Sequence, residues 1–422
     1  MARILIWPDL YKEHGHWLPT VNLAKTLQDA GHAVEFMGTA DTAAIVEPYG
    51  GTFSEILADI YPVGHSVENH LEPEEQRWKP HHLLPITRGV LDSVFQRPSN
   101  PPELLIAGYF TALETLLIHY LYDIPIVIIT TYLRHPYDEP AQHALTKLHY
   151  MSKAMQNKLM DAVLTPQERE GMTVEAFVQP LRDAREIIPC PGAFDFDDDD
   201  WKHRERTTYV EPMIAREHLA GGQLPEDPVA IDPGSSTRLI FATSGSQVQD
   251  YEFQARAFFK DLISMMKTEG MEDAHLVLAA GERLKAQLEM EYKIDIGKST
   301  LPDNVSLFSW VSQLEVLKAA EVVFMHGGLA TIKESIWEQV PIVLVPHGKD
   351  QSDNALRIKR AGVGVVTQVE DLTPLRLRKY LTMATSSTWI EKNLANFRGL
   401  FEQFENATEK ESLKVINEVL NP

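Results

Sequence analysis

Cysteine is almost missing from this 422-residue chain: Cys190 stands alone. No intramolecular disulfide can form, and the composition is compatible with a reducing cytoplasm, the expected location. Its setting, Pro189-Cys190-Pro191, reads as a turn built around a small residue rather than a reactive thiol. Long apolar runs are also missing. No segment reaches the ~18 uncharged apolar residues that a membrane span needs. The opening MARILIWP is too short for a signal peptide, lacks a small-residue cleavage site, and reads as a first strand. Basic residues are scarce: 39 Lys and Arg stand against 60 Asp and Glu, a formal net charge of −21. Nucleic acid and anionic membrane surfaces both call for a basic face, so neither is an expected partner. No short-period repeat appears. The acidic run Asp195–Asp200 has nothing around it that suggests a metal and reads as a solvated loop. No metal or cofactor is expected, and monomer and homodimer both stay open.

What is present suffices for two domains, with 44 % hydrophobic residues over 422 positions. The first part opens with a strand at Arg3–Trp7, a helix at His16–Ala30 and a strand at Ala33–Met37. Further strands are expected at Leu104–Ala107 and Pro125–Thr130, with a helix at Thr111–Tyr122 between them, and residues 138–185 read as helices with polar breaks. Residues 221–237 are rich in Gly, Pro and Asp and read as a linker. A second alternation follows: strands at Leu239–Thr243, Leu276–Ala280, Val305–Phe308 and Val322–Met325, helices at Tyr251–Thr268 and Ser312–Ala319. Alternation of this kind implies α/β domains with parallel, doubly wound sheets. The expected division is 1–220, a linker at 221–237, 238–386, and a final helical stretch within 387–422.

Residues 322–354, VVFMHGGLATIKESIWEQVPIVLVPHGKDQSDN, carry the most information. The apolar run Val322–Met325 leads into His326-Gly327-Gly328 and then a helix over about Leu329–Glu338. A second apolar run, Ile342–Val345, precedes Asp350-Gln351. Two glycines at a strand end let the backbone turn sharply and admit a ligand close to the main chain. The new helix points free N–H groups and its positive dipole end at that ligand, an arrangement suited to a diphosphate. His326 and Thr331 can add donors, and Glu334 lies one turn further on. The overall negative charge opposes an anion only at long range, where salt screens it.

HGGxxTxxE followed by P-x-x-x-DQ-x-x-N resembles the nucleotide-sugar signature of the family that includes plant UDP-glycosyltransferases and bacterial macrolide and antibiotic glycosyltransferases. His326, Gly328, Thr331, Glu334, Pro346, Asp350, Gln351 and Asn354 fall on its spacing. The resemblance implies the GT-B fold: two Rossmann-like doubly wound domains facing across a cleft, acceptor in the first, donor in the second, with C-terminal helices crossing back. It covers most of the chain and is patchy between residues 55 and 185. It carries over Gly245 and Ser246 from the loop after Leu239–Thr243 as phosphate or sugar contacts. Trp310, Val311 and Gln313 resemble the family's W-V-P-Q segment, with Ser312 in place of proline. An indole face can stack on a uracil or thymine ring, and Gln313 can bond base or ribose. Glu334 would accept from the ribose hydroxyls, and Asp350 and Gln351 would contact the sugar. Gln339 stands where a glycine usually precedes Val-Pro.

Gly15-His16-Trp17-Leu18-Pro19 resembles the family's catalytic histidine segment, which implies His16 as general base at a helix N-terminus. His14 has the wrong spacing. Attack opposite the departing diphosphate implies inversion. The aspartate that often supports this histidine would fall at Gly108, and neither Glu114 nor Asp123 matches its place. The resemblance therefore implies a hexose moved from a UDP- or dTDP-sugar, a co-substrate rather than a cofactor, to a hydroxyl of a small lipophilic acceptor. A sugar-nucleotide epimerase, or a non-catalytic nucleotide-sugar-binding helper, is the alternative. His65, His70, Trp78, His81, His82, Met151, Met155 and Met160 fall where the family varies most. Of these, Trp78, His81, Met151 and Met155 are candidate acceptor contacts, the two methionines expected on one helix face, where ordinary core packing is as good a reading.

Overall fold

The computed structural model describes residues 1–66, 80–135, 138–196, 205–215, 238–245, 248–293 and 299–421. The chain divides into two compact units, one of residues 1–193, 197–224 and 404–422, the other of 194–196 and 225–403.

The first unit holds seven strands: β1 (Arg3–Trp7), β2 (Ala33–Gly38), β3 (Phe53–Glu55), β4 (Leu104–Gly108), β5 (Ile126–Ile129), β6 (Arg185–Ile188) and β7 (Thr207–Tyr209). They form one sheet in the order β3-β2-β1-β4-β5-β6-β7, and every pairing is parallel. Helices cover both faces of such a sheet, which is why β1, β4 and β5 read as unbroken apolar runs and are buried at every position. The second unit repeats the scheme with β8 (Arg238–Thr243), β9 (Ala274–Ala279), β10 (Val305–Phe308), β11 (Ala320–Met325), β12 (Ile342–Leu344) and β13 (Gly364–Val366). Their order is β10-β9-β8-β11-β12-β13, again all parallel.

Most of the strands expected from sequence occur within a residue or two of their expected bounds. The short, half-exposed edge strands β3, β7 and β13 were not expected; three residues are too few to show a period. Nor was β6, which begins at the last residue of the stretch that reads as helical and runs on past it. The expected final helix is two, Thr388–Glu405 and Glu411–Leu420. The second packs in the first unit, where Glu418 pairs with Arg185 at 2.7 Å.

The acidic run is not a solvated loop at its first residue. Asp195 is 1 % exposed, and its carboxylate accepts from Nε of the equally buried Arg357 at 2.8 Å. The guanidinium stacks over Phe196, 4.6 Å from the ring centre, and also donates to Asn354 at 3.0 Å. Asp197–Asp200 lie outside the described residues.

Candidate active site

Each sheet reverses its strand order once. The chain steps outward from β1 to β2 and β3, then lays β4 on the other side of β1; β8 and β11 are neighbours by the same route. Ligands of doubly wound sheets bind past the carboxyl ends of the two strands at such a reversal. His16 follows β1, Gly245 follows β8, and His326, Gly328, Thr331 and Glu334 follow β11, while Trp310, Val311 and Gln313 come after β10 and Asp350 and Gln351 after β12.

In the first unit, Trp7 ends β1 and Pro8-Asp9 turns the chain into a loop ahead of the His14–Asp29 helix. Asp9 is 3 % exposed. One carboxylate oxygen accepts from the backbone N–H of Tyr11 at 3.0 Å, and the other lies 2.5 Å from Nδ1 of His16. The indole N–H of Trp17 donates to the Tyr11 carbonyl at 2.9 Å and pins the loop. With Nδ1–H given to a carboxylate, the imidazole is held in the tautomer that leaves a lone pair on Nε2. The carboxylate found missing at Gly108 is therefore supplied by Asp9, from the histidine's own loop.

Gly108 cannot host it. A β-carbon there would lie 1.6 Å from the carbonyl oxygen of Pro8, a collision of backbone against side chain that no rotamer relieves. Glu114 and Asp123 serve elsewhere. Glu114 is buried, 2.8 Å from Nε2 of His82 and 3.6 Å from the Lys147 ammonium. Burial alone would raise its carboxyl, but those partners pull it down to about 2. Asp123 caps the Ala112–Tyr122 helix in a left-handed conformation.

One aromatic ring lies on His16 and further rings pack against that one. Phe110 stacks on it at 4.8 Å, Tyr132 lies near-parallel to Phe110 at 5.7 Å, and His143 meets Phe110 edge-on. Desolvation and the Lys147 charge push the His143 imidazole down to about 3; desolvation and the Lys12 charge push that of His14 down to about 4. Phe110, Tyr132 and His143 were not singled out from sequence, because aromatics spread over residues 109–143 carry no spacing signal. Of the expected acceptor contacts, Trp78 lies outside the described residues, as does His70. His81 is exposed on the Pro80–His82 turn. Met151 and Met155 do not share a helix. Ser152 caps the Lys153–Val163 helix by accepting from the Met155 N–H, which leaves Met151 in the break before it. Both are half-buried against the core, and Met160 lies within it.

In the second unit, β11 ends at Met325, aligned with Thr243 of β8 and Leu344 of β12. His326 follows and is 6 % exposed. Its ring fits because two glycines flank it: a β-carbon at Gly245 would sit 2.5 Å from Cε1, and one at Gly328 2.8 Å from Nε2. Burial pushes the imidazole down to about 4. The Leu329–Trp337 helix then starts at Gly328 with no side-chain cap and no acidic residue in its first turn, so its first amides and dipole end are open to an anion.

Three expected donor contacts meet. Gln313 opens the Gln313–Ala319 helix, and its side-chain N–H₂ donates to Thr331 at 3.1 Å and to the Glu334 carboxylate. Burial pushes the Glu334 carboxyl up to about 7 against the pull of Gln313 and Lys333. Trp310 is 47 % exposed while its neighbour Val311 is buried, so the indole is available as a stacking face and is not a core residue. Gln351 is buried, its amide oxygen accepting from the backbone N–H groups of His347 and Gly348 at 2.7 and 3.1 Å. Asp350 accepts from Asn354 at 3.0 Å, and Asn354 also donates to the Gly327 carbonyl at 2.9 Å. That bond ties the Asp350-Gln351 segment to the glycine turn. Ser246 lies outside the described residues. Among the described residues no cluster of His, Cys, Asp and Glu could hold a metal ion, and no helix is long and apolar enough to cross a membrane.

Residues 239–407 match the model of the glycosyltransferase family 28 C-terminal domain. The chain is 22 % identical over 415 residues to the NDP-glycosyltransferase YjiC of Bacillus licheniformis, covering 92 % of this chain and 91 % of that protein. The structure of the kitacinnamycin glycotransferase superposes with a TM-score of 0.70 at 20 % identity, over 99 % of both chains. That of the glycosyltransferase VinC in complex with dTDP gives 0.62 at 17 % identity, over 99 % of this chain and all of that one.

Proposed function

We propose that this chain is a family 1 GT-B glycosyltransferase, as its likeness to the relatives above supports, and that it moves a hexose from a UDP- or dTDP-sugar to a hydroxyl of a small lipophilic acceptor, with inversion at the anomeric carbon. The observation that carries this reading is the His16–Asp9 pair in the first unit. A neutral imidazole, its Nδ1 turned to Asp9, takes the acceptor's hydroxyl proton at Nε2 as the oxygen attacks. Asp9 holds the ring in place and stabilises the imidazolium that forms. The new bond joins the acceptor oxygen to the anomeric carbon, and the old anomeric C–O bond breaks, its electron pair leaving with the nucleoside diphosphate.

The second unit would bind the donor and stabilise that leaving charge. The uncapped amides of the Leu329–Trp337 helix and the His326 imidazole suit the diphosphate. The Gln313–Thr331–Glu334 cluster suits ribose, and the exposed Trp310 face suits the base. Phe110 and Tyr132 beside His16 suit an apolar acceptor. The name YjiC carries, NDP-glycosyltransferase, agrees with this donor class. The test is transfer from UDP- and dTDP-hexoses to a panel of phenols and aliphatic alcohols, with product anomers read by NMR. A β-glycoside from an α-donor is expected; retention, or a new sugar nucleotide without any acceptor, would overturn the reading.

A further inference from the structure

One face of the second sheet packs on the Glu252–Met265 helix, and its apolar core includes Ile240 and Ala242 of β8, Val322 and Phe324 of β11, and Val343 and Val345 at β12. Side chains alternate along a strand, so the next same-side positions are Ser244, His326 and His347. Three adjacent strand ends thus change from apolar to polar at the same edge. Ring contacts place the two imidazoles together: Tyr251 lies 6.1 Å from His326 and 5.3 Å from His347, Phe258 lies 5.4 Å from His347, and the imidazoles are 6.3 Å apart. The Ser244 hydroxyl, Nδ1 of His326 and both ring nitrogens of His347 are buried and make no hydrogen bond among the described residues. Ser244 is fully buried.

A buried donor or acceptor without a partner destabilises a fold, so four gathered in one recess weigh on the ligand-free protein. They adjoin the glycine-flanked His326 and the uncapped helix start, where anionic oxygens are the expected ligand. We propose that this recess is the inner wall of the diphosphate site, and that His347 and Ser244 join His326 in donating hydrogen bonds to the diphosphate oxygens of the bound nucleotide. The inference rests on the donor-binding reading of the second unit and adds two residues outside the motif positions.

Calorimetric titration with UDP, dTDP and the bare nucleosides tests it, on wild type, His347→Leu, Ser244→Ala and His326→Ala. His347→Leu raises the diphosphate Kd about tenfold, the size of one lost charge-assisted bond, and leaves nucleoside affinity unmoved. Its ligand-free melting temperature is kept or raised, because leucine suits the Tyr251 and Phe258 surroundings; His347→Gln, which restores a donor, recovers part of the affinity. Unchanged diphosphate binding in His347→Leu, with His326→Ala weakened, overturns the inference and leaves the donor site standing. Equal losses for nucleoside and diphosphate, with a lowered melting temperature, also overturn it, in favour of a packing role. If His326→Ala is unaffected as well, the diphosphate does not sit at this edge and the proposed function falls first.

Discussion

Asp9 and His16 are joined at 2.5 Å although both lie in one short stretch, seven residues apart. A dyad so local depends on the loop between them, and the Trp17 indole bond to the Tyr11 carbonyl holds that loop. Asp9→Asn keeps the size and removes the charge, and its amide can donate to Nδ1 and favour the wrong tautomer. We expect kcat to fall on the order of 10²-fold or more with donor affinity unchanged. His16→Ala abolishes transfer with the same binding. Steady-state rates paired with UDP and dTDP titrations check both; full turnover in either variant removes the dyad from the mechanism.

Restoring a carboxylate at the family's position should fail. Gly108→Asp in an Asp9→Asn background meets the Pro8 carbonyl, and strain of this kind typically costs about 1–3 kcal/mol. The double variant melts below Asp9→Asn and gains no activity. Recovery of transfer would mean the Pro8 turn yields easily.

Glu334, held near 7 by burial, is partly protonated at neutral pH. Ribose hydroxyls donate better to the ionised carboxylate, so nucleotide binding shifts the group toward ionisation. Donor affinity therefore rises from about pH 6 to about pH 8 and then levels. Glu334→Gln removes the slope; a slope that persists assigns it to another group.

Four histidines make the fold acid-sensitive. His14 and His326 are held at about 4, and His143 and His347 at about 3, each mainly by desolvation. Below the ordinary value of 6.5 the unfolded chain takes up protons that the fold refuses, so stability is lost as pH falls toward 4. Glu334 has the opposite sign, its contribution full at low pH and lost as pH rises through 7, but it is one group against four. Melting temperature is expected to drop steadily below pH 6.5, and His347→Leu flattens part of that drop.

Gln339 sits just past the Leu329–Trp337 helix with φ of +57°. A side chain in that conformation is strained by about 1–2 kcal/mol, of which glycine's larger unfolded entropy takes back a part. Gln339→Gly is expected to raise stability by up to about 1 kcal/mol, read by denaturant midpoint, with kinetics untouched.

The two sheets were legible because buried parallel strands leave short unbroken apolar runs, such as Val322–Met325, that recur in alternation with helical stretches. The Gln313–Thr331–Glu334 cluster was legible only as separate motif positions; that one amide joins the other two side chains depends on how two helices pack. Asp9 escaped notice because the expected carboxylate belonged to another strand, and only the close approach of Pro8 to Gly108 explains why that strand carries none. The recess at Ser244 and His347 was equally hidden, since its polar character appears only when three strand ends are aligned.

The buried bond between Arg357 and Asp195 has a practical outcome for anyone dissecting this polypeptide. Residues 194–196 belong to the second unit, although the chain on either side of them does not. A fragment begun at residue 225 would leave the Arg357 guanidinium interred without its counter-ion, a loss that typically costs about 3–5 kcal/mol. Such a fragment should be expressed poorly or aggregate, and supplying a peptide that carries Phe194-Asp195-Phe196 in trans is the direct remedy.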